Sequence, residues 1–372
     1  MTNSTRKRVA LVMPVRNDAA AVRPTMDAIF ASTRLPDEIV IADGLSTDGT
    51  PELIKEYEGR GVPIHIIPNP ALWAGGGRNA AVRATTCDIL VLDDFGNIIE
   101  PGYIEAIVRP FEEDEQIELV SGLFQMNVTN DFEHCVAAIH YFENYILDRL
   151  SLDEVRRLLP QVILPGGLCT AVTRRMWLAA GGQPEWLAKG QDKLFSRKVY
   201  ALGGKSVIAP DARLRHHVRS NIGDLFRQVF FYGRGNGQMR FISRHVARLM
   251  LVYGSLAALL LLGFVSYLFP ILASLLFLAY VWRAGVRKVL LVDGGLKKLR
   301  YVPMSCLILV TRDIGSLLGH LLGWMEWITK PRFRELYRLY MRELPAERVS
   351  VLAPDGAAPG MVGKMLRALR VS

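Results

Sequence analysis

Two stretches decide the fold. They are Arg8-Val9-Ala10-Leu11-Val12-Met13-Pro14-Val15-Arg16-Asn17-Asp18 and Glu38-Ile39-Val40-Ile41-Ala42-Asp43-Gly44-Leu45-Ser46-Thr47-Asp48-Gly49-Thr50. Each is a short, almost wholly apolar run that stops abruptly in polar and turn-forming residues. Such runs suit strands buried on both faces. Similar runs recur at 64–67 and 88–92, with helical patterns at 20–32, 51–59 and 77–84 between them. The sequence therefore predicts an α/β fold with a mainly parallel central sheet and helices on both faces. Thr50-Pro51-Glu52 reads as a helix start, with a hydroxyl at the N-cap and Pro at the first helical position, and Pro101 gives the same signal for 101–112. Ligands of such sheets lie beyond the carboxyl ends of the strands, which is where Pro14, Arg16 and Asp43 fall. Neither G-x-G-x-x-G nor G-x-x-x-x-G-K-[ST] follows the first strand, so a dinucleotide or P-loop site is excluded there. The basic residues 6–8 before Val9 imitate a signal peptide, but Pro14, Arg16 and Asp18 break the apolar run too early.

The remainder of the 372 residues has a different character. Hydrophobic residues make up 50% of the chain and charged ones 22%, which excludes a disordered or collagen-like protein. The net charge of +9 is unevenly spread: residues 1–212 sum to −7 and residues 213–372 to +16. The acidic N-terminal part excludes a nucleic-acid surface there. Four cysteines without a C-x-x-C support neither a zinc ribbon nor a disulfide framework, and point to a reducing compartment. From Leu249 to Trp282 no residue is charged, and Pro270 interrupts the run. A helical hairpin at 249–282 is predicted, followed by a third apolar segment at 302–325 that contains Arg312 and Asp313. Arginines before the hairpin and a cluster of Arg and Lys after it put both flanks on the cytoplasmic face by the positive-inside rule. The expected organisation is a catalytic domain at 1–240, a membrane region at 241–329 and a basic tail at 330–372. The expected location is the inner or plasma membrane, multi-pass, with the catalytic domain in the cytoplasm.

The motifs at the strand ends carry a resemblance. The P-V-R-N-D and A-D-G-x-S-T-D-G-T stretches resemble glycosyltransferase family 2, inverting enzymes of GT-A fold. Trp73-Ala74-Gly75-Gly76-Gly77-Arg78-Asn79 resembles the family's glycine-rich turn. Pro165-Gly166-Gly167 and Gly181-Gly182 resemble its acceptor-side strand and following turn. Gly190-Gln191-Asp192 resembles its Glu-Asp, with Gln in the first position, and Arg197 with Gly203-Gly204 falls where that motif's helix ends. The segment Arg227–Gly235 resembles the family's acceptor-side segment, and the Q-x-x-R-W of processive synthases is absent. The likeness covers about residues 8–235, and the membrane hairpin is similar to that of bacterial exopolysaccharide, succinoglycan-type, transferases.

The resemblance implies a nucleotide-sugar donor, UDP- or GDP-linked, and a lipid-linked saccharide acceptor. It makes Asp192 the general base, with an N-cap aspartate as the structural alternative. Asp43 would accept from a nucleobase N–H, or be an ordinary turn aspartate. Gly75, Gly76, Gly77 and Arg78 would face the diphosphate, or form an ordinary glycine turn. The family's D-x-D is degenerate in Asp93-Asp94-Phe95-Gly96-Asn97. Asp93 is expected at the donor, and Asp94 and Asn97, with His216 or His217, at a Mg²⁺ or Mn²⁺ ion. The two histidines are equally readable as a solvated basic strand end. Two other functions compete: a polyprenyl-phosphate sugar synthase and a catalytically inactive scaffold in an assembly complex.

Overall fold

The structure is a computed structural model that describes residues 6–147, 168–293 and 300–342. Pro165-Gly166-Gly167 and most of the 330–372 tail lie outside the described residues. Two compact units are present. The first comprises residues 1–125, 150–217 and 338–372, and the second 126–149 and 218–337.

The first unit is built on an eight-stranded sheet of order β3-β2-β1-β4-β7-β6-β8-β5. The four predicted strands are β1 (Val9–Val15), β2 (Glu38–Asp43), β3 (Ile64–Pro68) and β4 (Ile89–Leu92). They pair in parallel, in register Pro14 with Ala42, Val12 with Leu92, and Ala42 with Ile67. The parallel part ends at β4. The sheet continues through β7 (Thr170–Thr173), β6 (Ile117–Asn127), β8 (Lys205–His217) and β5 (Ile98–Ile99), and the β4–β7, β7–β6 and β8–β5 pairings are antiparallel.

Alternate residues of the parallel strands feed two separate cores, which is why these runs are apolar throughout. Val9, Leu11, Met13, Ile39 and Ile41 pack against α1 (Ala19–Phe30) and α4 (Tyr103–Glu113). Ala10, Val12, Val40, Ala42, Leu90 and Leu92 face α3 (Ala74–Ala84), α7 (Arg174–Ala179) and α8 (Gln191–Ala201). A fully buried aliphatic side chain contributes about 1.5–3 kcal/mol, so both faces resist substitution.

Three predicted boundaries shift. In α2 (Thr50–Lys55) the N-cap is Gly49, in the left-handed conformation, and Thr50 is already helical. Its hydroxyl donates to Asp48 (2.6 Å), so turn chemistry takes the group that the sequence assigned to capping. Helix α4 starts at Tyr103 with Gly102 as N-cap, two residues after Pro101. The helix expected at 77–84 begins at Ala74, so that Gly75, Gly76 and Gly77 lie inside α3.

The second unit is helical: α5 (Asp131–His140), α6 (Phe142–Leu147), α9 (Ile222–Gln238), α10 (Arg244–Leu262), α11 (Leu268–Val281), a π-helical turn (Trp282–Val286), α12 (Arg287–Asp293) and α13 (Tyr301–Thr329). The hairpin is present, but its break falls at 263–267, and Pro270 sits in the first turn of α11. Three stretches are long and apolar enough to cross a membrane: His245–Leu262, Leu268–Val292 and Tyr301–Thr329. Arg312 and Asp313 in the third are buried and paired. Arg312 donates from Nε (2.9 Å) and Nη2 (2.7 Å) to Asp313 Oδ1, and from Nη1 to the Ile139 carbonyl (2.9 Å). The Tyr280 and Tyr253 hydroxyls donate to Asp313 Oδ2. Helix α14 (Pro331–Met341) follows α13.

Helices α9 and α13 approach through glycine. A Cβ at Gly319 would overlap the Phe230 carbonyl, and one at Gly323 the Arg234 carbonyl. Only glycine permits that backbone contact.

Candidate active site

Strands β1, β2 and β4 end side by side, and the candidate residues follow those ends. The loops after β1 and β2 are laced together. Asn17 N donates to Ser46 Oγ (2.8 Å), Thr47 N to Asn17 Oδ1 (2.9 Å) and Ala19 N to Asp48 Oδ2 (3.0 Å). Asn17 and Leu45 both adopt positive φ (49° and 59°), a strained conformation that the lacing holds in place. Asp43, at the end of β2, accepts from Ser46 N with Oδ2 (3.0 Å). Its Oδ1 is buried and has no hydrogen-bond partner. Arg16 is exposed and its stem lies over Gly44, while Pro14 is half-buried.

Gly75, Gly76 and Gly77 lie in the first turn of α3 and are buried. A Cβ at Gly77 would sit 2.8 Å from Asn69 Nδ2 and 3.1 Å from Pro14 Cβ. The missing side chains thus let the helix start close against the ends of β1 and β2. Arg78 is among the most buried large side chains of the chain. Its guanidinium pairs with Asp94 Oδ1 and donates to Gln183 Oε1 (3.2 Å). Asn79 holds the same segment, with Nδ2 donating to the Gln183 carbonyl (2.7 Å) and Oδ1 accepting from Gln183 N (2.9 Å). Gly182 has φ 70°, and a Cβ there would overlap Asn79 Oδ1. This is the physical requirement behind the Gly181-Gly182 turn.

After β4 the chain turns through the degenerate acidic motif. Asp93 is buried, and its Oδ1 accepts from Asn97 Nδ2 (2.7 Å) and Asp94 N (2.8 Å). Burial pushes the Asp93 carboxyl up to about 7. Asn97 Oδ1 lies 2.9 Å from His216 Nδ1. With the amide NH₂ turned to Asp93, that contact puts a proton on His216 Nδ1. Asp94 differs: its side chain is 45% exposed, so it presents carboxylate oxygen outward while pairing with Arg78.

These positions test a divalent cation. Among the described residues no group of three His, Cys, Asp or Glu is placed to hold one. The Asn97 oxygen is engaged by His216, and Asp93 is turned inward. The exposed Asp94 carboxylate fits a hard cation that takes its other ligands from phosphate and water, as Mg²⁺ commonly does.

Asp192 lies in the first turn of α8, half-buried, and the N-cap of that helix is Gly190 at φ 87°. The capping alternative is therefore not the one adopted. The neighbouring Gln191 is buried with Oε1 unpartnered. His217 ends β8 next to His216. The structure thus gathers Pro14, Arg16, Asp43, Gly77, Arg78, Asp93 and Asp94 around the ends of β1, β2 and β4, and joins Asn97 and His216 in one network. Gln183 escaped the sequence reading. The glycine pair immediately before Gln183, which no ordinary turn requires, was the available signal.

Residues 10–176 match the family model described as Glycosyl transferase family 2. Glycosyltransferase GlyA of Streptococcus pneumoniae serotype 4 (strain ATCC BAA-334 / TIGR4) is 23% identical over 148 residues, 40% of this chain and 21% of that protein. EpsH of Bacillus subtilis (strain 168) is 26% identical over 101 residues, 27% of this chain and 29% of that protein. The chain thus spans less than a third of the length of either relative. The structure of mannosyltransferase PcManGT from Pyrobaculum calidifontis, in complex with GDP-Man and Mn²⁺, has a TM-score of 0.56 at 17% identity, covering 88% of this chain and 89% of that one. That likeness is one of fold. Residues 10–176 accordingly resemble a glycosyl transferase family 2 domain, and the fold that carries them is of GT-A type.

Proposed function

We propose that this chain is an inverting, non-processive glycosyltransferase. It moves one sugar from a UDP- or GDP-linked donor to a hydroxyl of a lipid-linked glycan acceptor, at the cytoplasmic face of the inner or plasma membrane. The observation that carries this reading is the buried, unpartnered Oδ1 of Asp43 at the carboxyl end of β2. A buried acceptor without a partner costs about 1–3 kcal/mol, and an N–H of a uracil or guanine ring would satisfy it.

The roles then follow from placement. Asp43 orients the base, and Pro14 and Arg16 line the same strand end. Arg78, locked by Gln183 and Asp94, fixes the acidic turn and places positive charge beside the diphosphate. A divalent cation held by Asp94 would neutralise charge on the leaving nucleoside diphosphate. Asp192 takes the proton from the acceptor hydroxyl. As that proton leaves, the hydroxyl oxygen bonds to the anomeric carbon, and the bond from that carbon to the β-phosphate oxygen breaks with its electron pair. One displacement inverts the anomeric centre. The basic C-terminal half suits an anionic lipid diphosphate.

Release of UDP or GDP by the purified full chain, dependent on a lipid-linked acceptor, tests this. Release with a bare polyprenyl phosphate alone would favour the synthase reading. No release from any UDP- or GDP-sugar would favour the scaffold.

A further inference from the structure

Helix α13 is polar on the side that the protein covers and apolar on the side that it leaves open. Its buried face carries Ser305, Arg312, Asp313, Ser316, His320 and Glu326. From Pro303 to Ile328 every exposed residue is apolar. Leu307, Ile314, Leu318, Leu321, Met325 and Ile328 recur at spacings of three, four and seven, which draws one stripe along the helix. Such a stripe suits lipid, whether a helix crosses a bilayer or lies along it. What covers the opposite face separates the two.

Two helices of the same unit cover that face from end to end. Helix α5 takes the first half. The Tyr301 hydroxyl donates to Asp131 Oδ1 (3.0 Å), at the start of α5, and Arg312 Nη1 to the Ile139 carbonyl (2.9 Å), near its end. Helix α9 takes the second half. A Cβ at Gly315 would press on the Phe226 carbonyl, one at Gly319 on that of Phe230, and one at Gly323 on that of Arg234. Further on, Arg234 Nε and Gln238 Nε2 donate to Glu326 Oε2 (2.8 and 2.7 Å). Each step of four residues along α13 is matched by four along α9, so the two helices run side by side in the same direction.

At 1.5 Å per residue α13 is about 43 Å long, and Gly315 is its midpoint. In a crossing helix that midpoint would lie about 15 Å from either edge of the hydrocarbon core. The residues of α9 beside it belong at no such depth. Asp224 and Arg227 flank Phe226 and are exposed. An ionised side chain at the bilayer centre is costly unless it pairs or faces water, and a side chain as short as that of Asp224 does not reach the surface from there. Asp131, opposite Tyr301, and Lys330, just past Thr329, are exposed as well. Ionised groups in contact with solvent thus stand at both ends and at the middle of α13.

We infer that α13 lies in the plane of one leaflet. Its stripe from Leu307 to Ile328 meets acyl chains, α5 and α9 form its aqueous side, and the helix makes no crossing. An interfacial helix buries its apolar face about 5–10 Å deep, which the stripe allows without taking Asp224 or Arg227 out of water. Lys330 and Arg332, which follow the helix, suit anionic headgroups at that level. This arrangement replaces the crossing that the length of the segment allows. It requires that the chain meet a bilayer and does not depend on the transfer reaction.

The test places single nitroxides on the stripe of the full chain in lipid vesicles, on a Cys306→Ser background; the other three cysteines are buried. Leu307→Cys, Leu318→Cys and Met325→Cys share one side of the helix. Depth is read from accessibility to oxygen against that to a nickel chelate. All three labels should sit at one shallow depth, more accessible to oxygen than to the chelate. A crossing helix would put the Leu318 label about 7–10 Å deeper than the other two, and that gradient would overturn the inference. Greater access of the chelate at all three would show a stripe that does not meet lipid, and would overturn it too. In the same vesicles, with a maleimide admitted to both faces, Arg227→Cys should react as fast as Glu58→Cys, a position exposed on the first unit. Protection of Arg227→Cys would put α9 in hydrocarbon and contradict the arrangement. Absence of UDP or GDP release bears on the proposed function alone.

Discussion

Asp43 and Asp94 show how little separates a structural from a functional carboxylate. Asp43 Oδ2 closes its own turn on Ser46 N, as any turn aspartate does, and only the buried, idle Oδ1 marks it for a ligand. Asp43→Ala should therefore weaken UDP or GDP binding about 10- to 100-fold, the scale of a hydrogen bond to a charged group. Thermal stability should be nearly unchanged. Calorimetric titration of both proteins checks this, and equal affinities would reduce Asp43 to a turn residue. Asp94, with Arg78 behind it, is the exposed oxygen of a motif that has lost its second carboxylate. Transfer should stop in excess EDTA, and Asp94→Asn should raise the Mg²⁺ or Mn²⁺ concentration needed for half-maximal rate. Undiminished transfer in EDTA would leave charge neutralisation to Arg78.

At the scale of elements, the α9–α13 contact and the hairpin respond differently to the same chemistry. Gly319 faces the Phe230 carbonyl, whereas a Cβ at Gly254, in α10, would meet nothing. Gly319→Ala should destabilise the detergent-solubilised protein by about 1–3 kcal/mol, the usual range for overpacking. Gly254→Ala should be neutral. Thermal unfolding followed by tryptophan fluorescence would separate them, and equal midpoints would show that the helices do not meet there. Strands β1, β2 and β4 were legible because each is buried on both faces and needs no distant partner to be recognised, and the partly buried β3 because its run is equally apolar. The antiparallel strands and the reach of β8 were not, since Lys205–His217 alternates charge and apolarity without a decisive period. In the site, Asp43 stood out because it follows a strand end, Arg78 because it follows the glycine run, and Asp192 through the family resemblance. Gln183 did not, because its role depends on Arg78, which lies 105 positions away in the chain. Asn97 and His216, 119 positions apart, were expected near each other through a shared ion, and the structure joins them by a direct hydrogen bond instead.

For the whole molecule, the proposed function sets a donor site at the ends of β1, β2 and β4 of the sheet, and the helical unit contains three stretches long and apolar enough to cross a membrane. In that proposal the chemistry converges on Asp192. If inversion proceeds by one displacement, removing that base must stop transfer and spare donor binding. Asp192→Asn keeps the size of the side chain, and Gly190 caps α8 in either protein. The most direct measurement is sugar transfer by purified Asp192→Asn beside the unchanged chain, with nucleotide-sugar affinity determined on the same samples. Transfer should fall by roughly 10²-fold or more while donor affinity stays the same. Transfer near the unchanged rate would contradict the account.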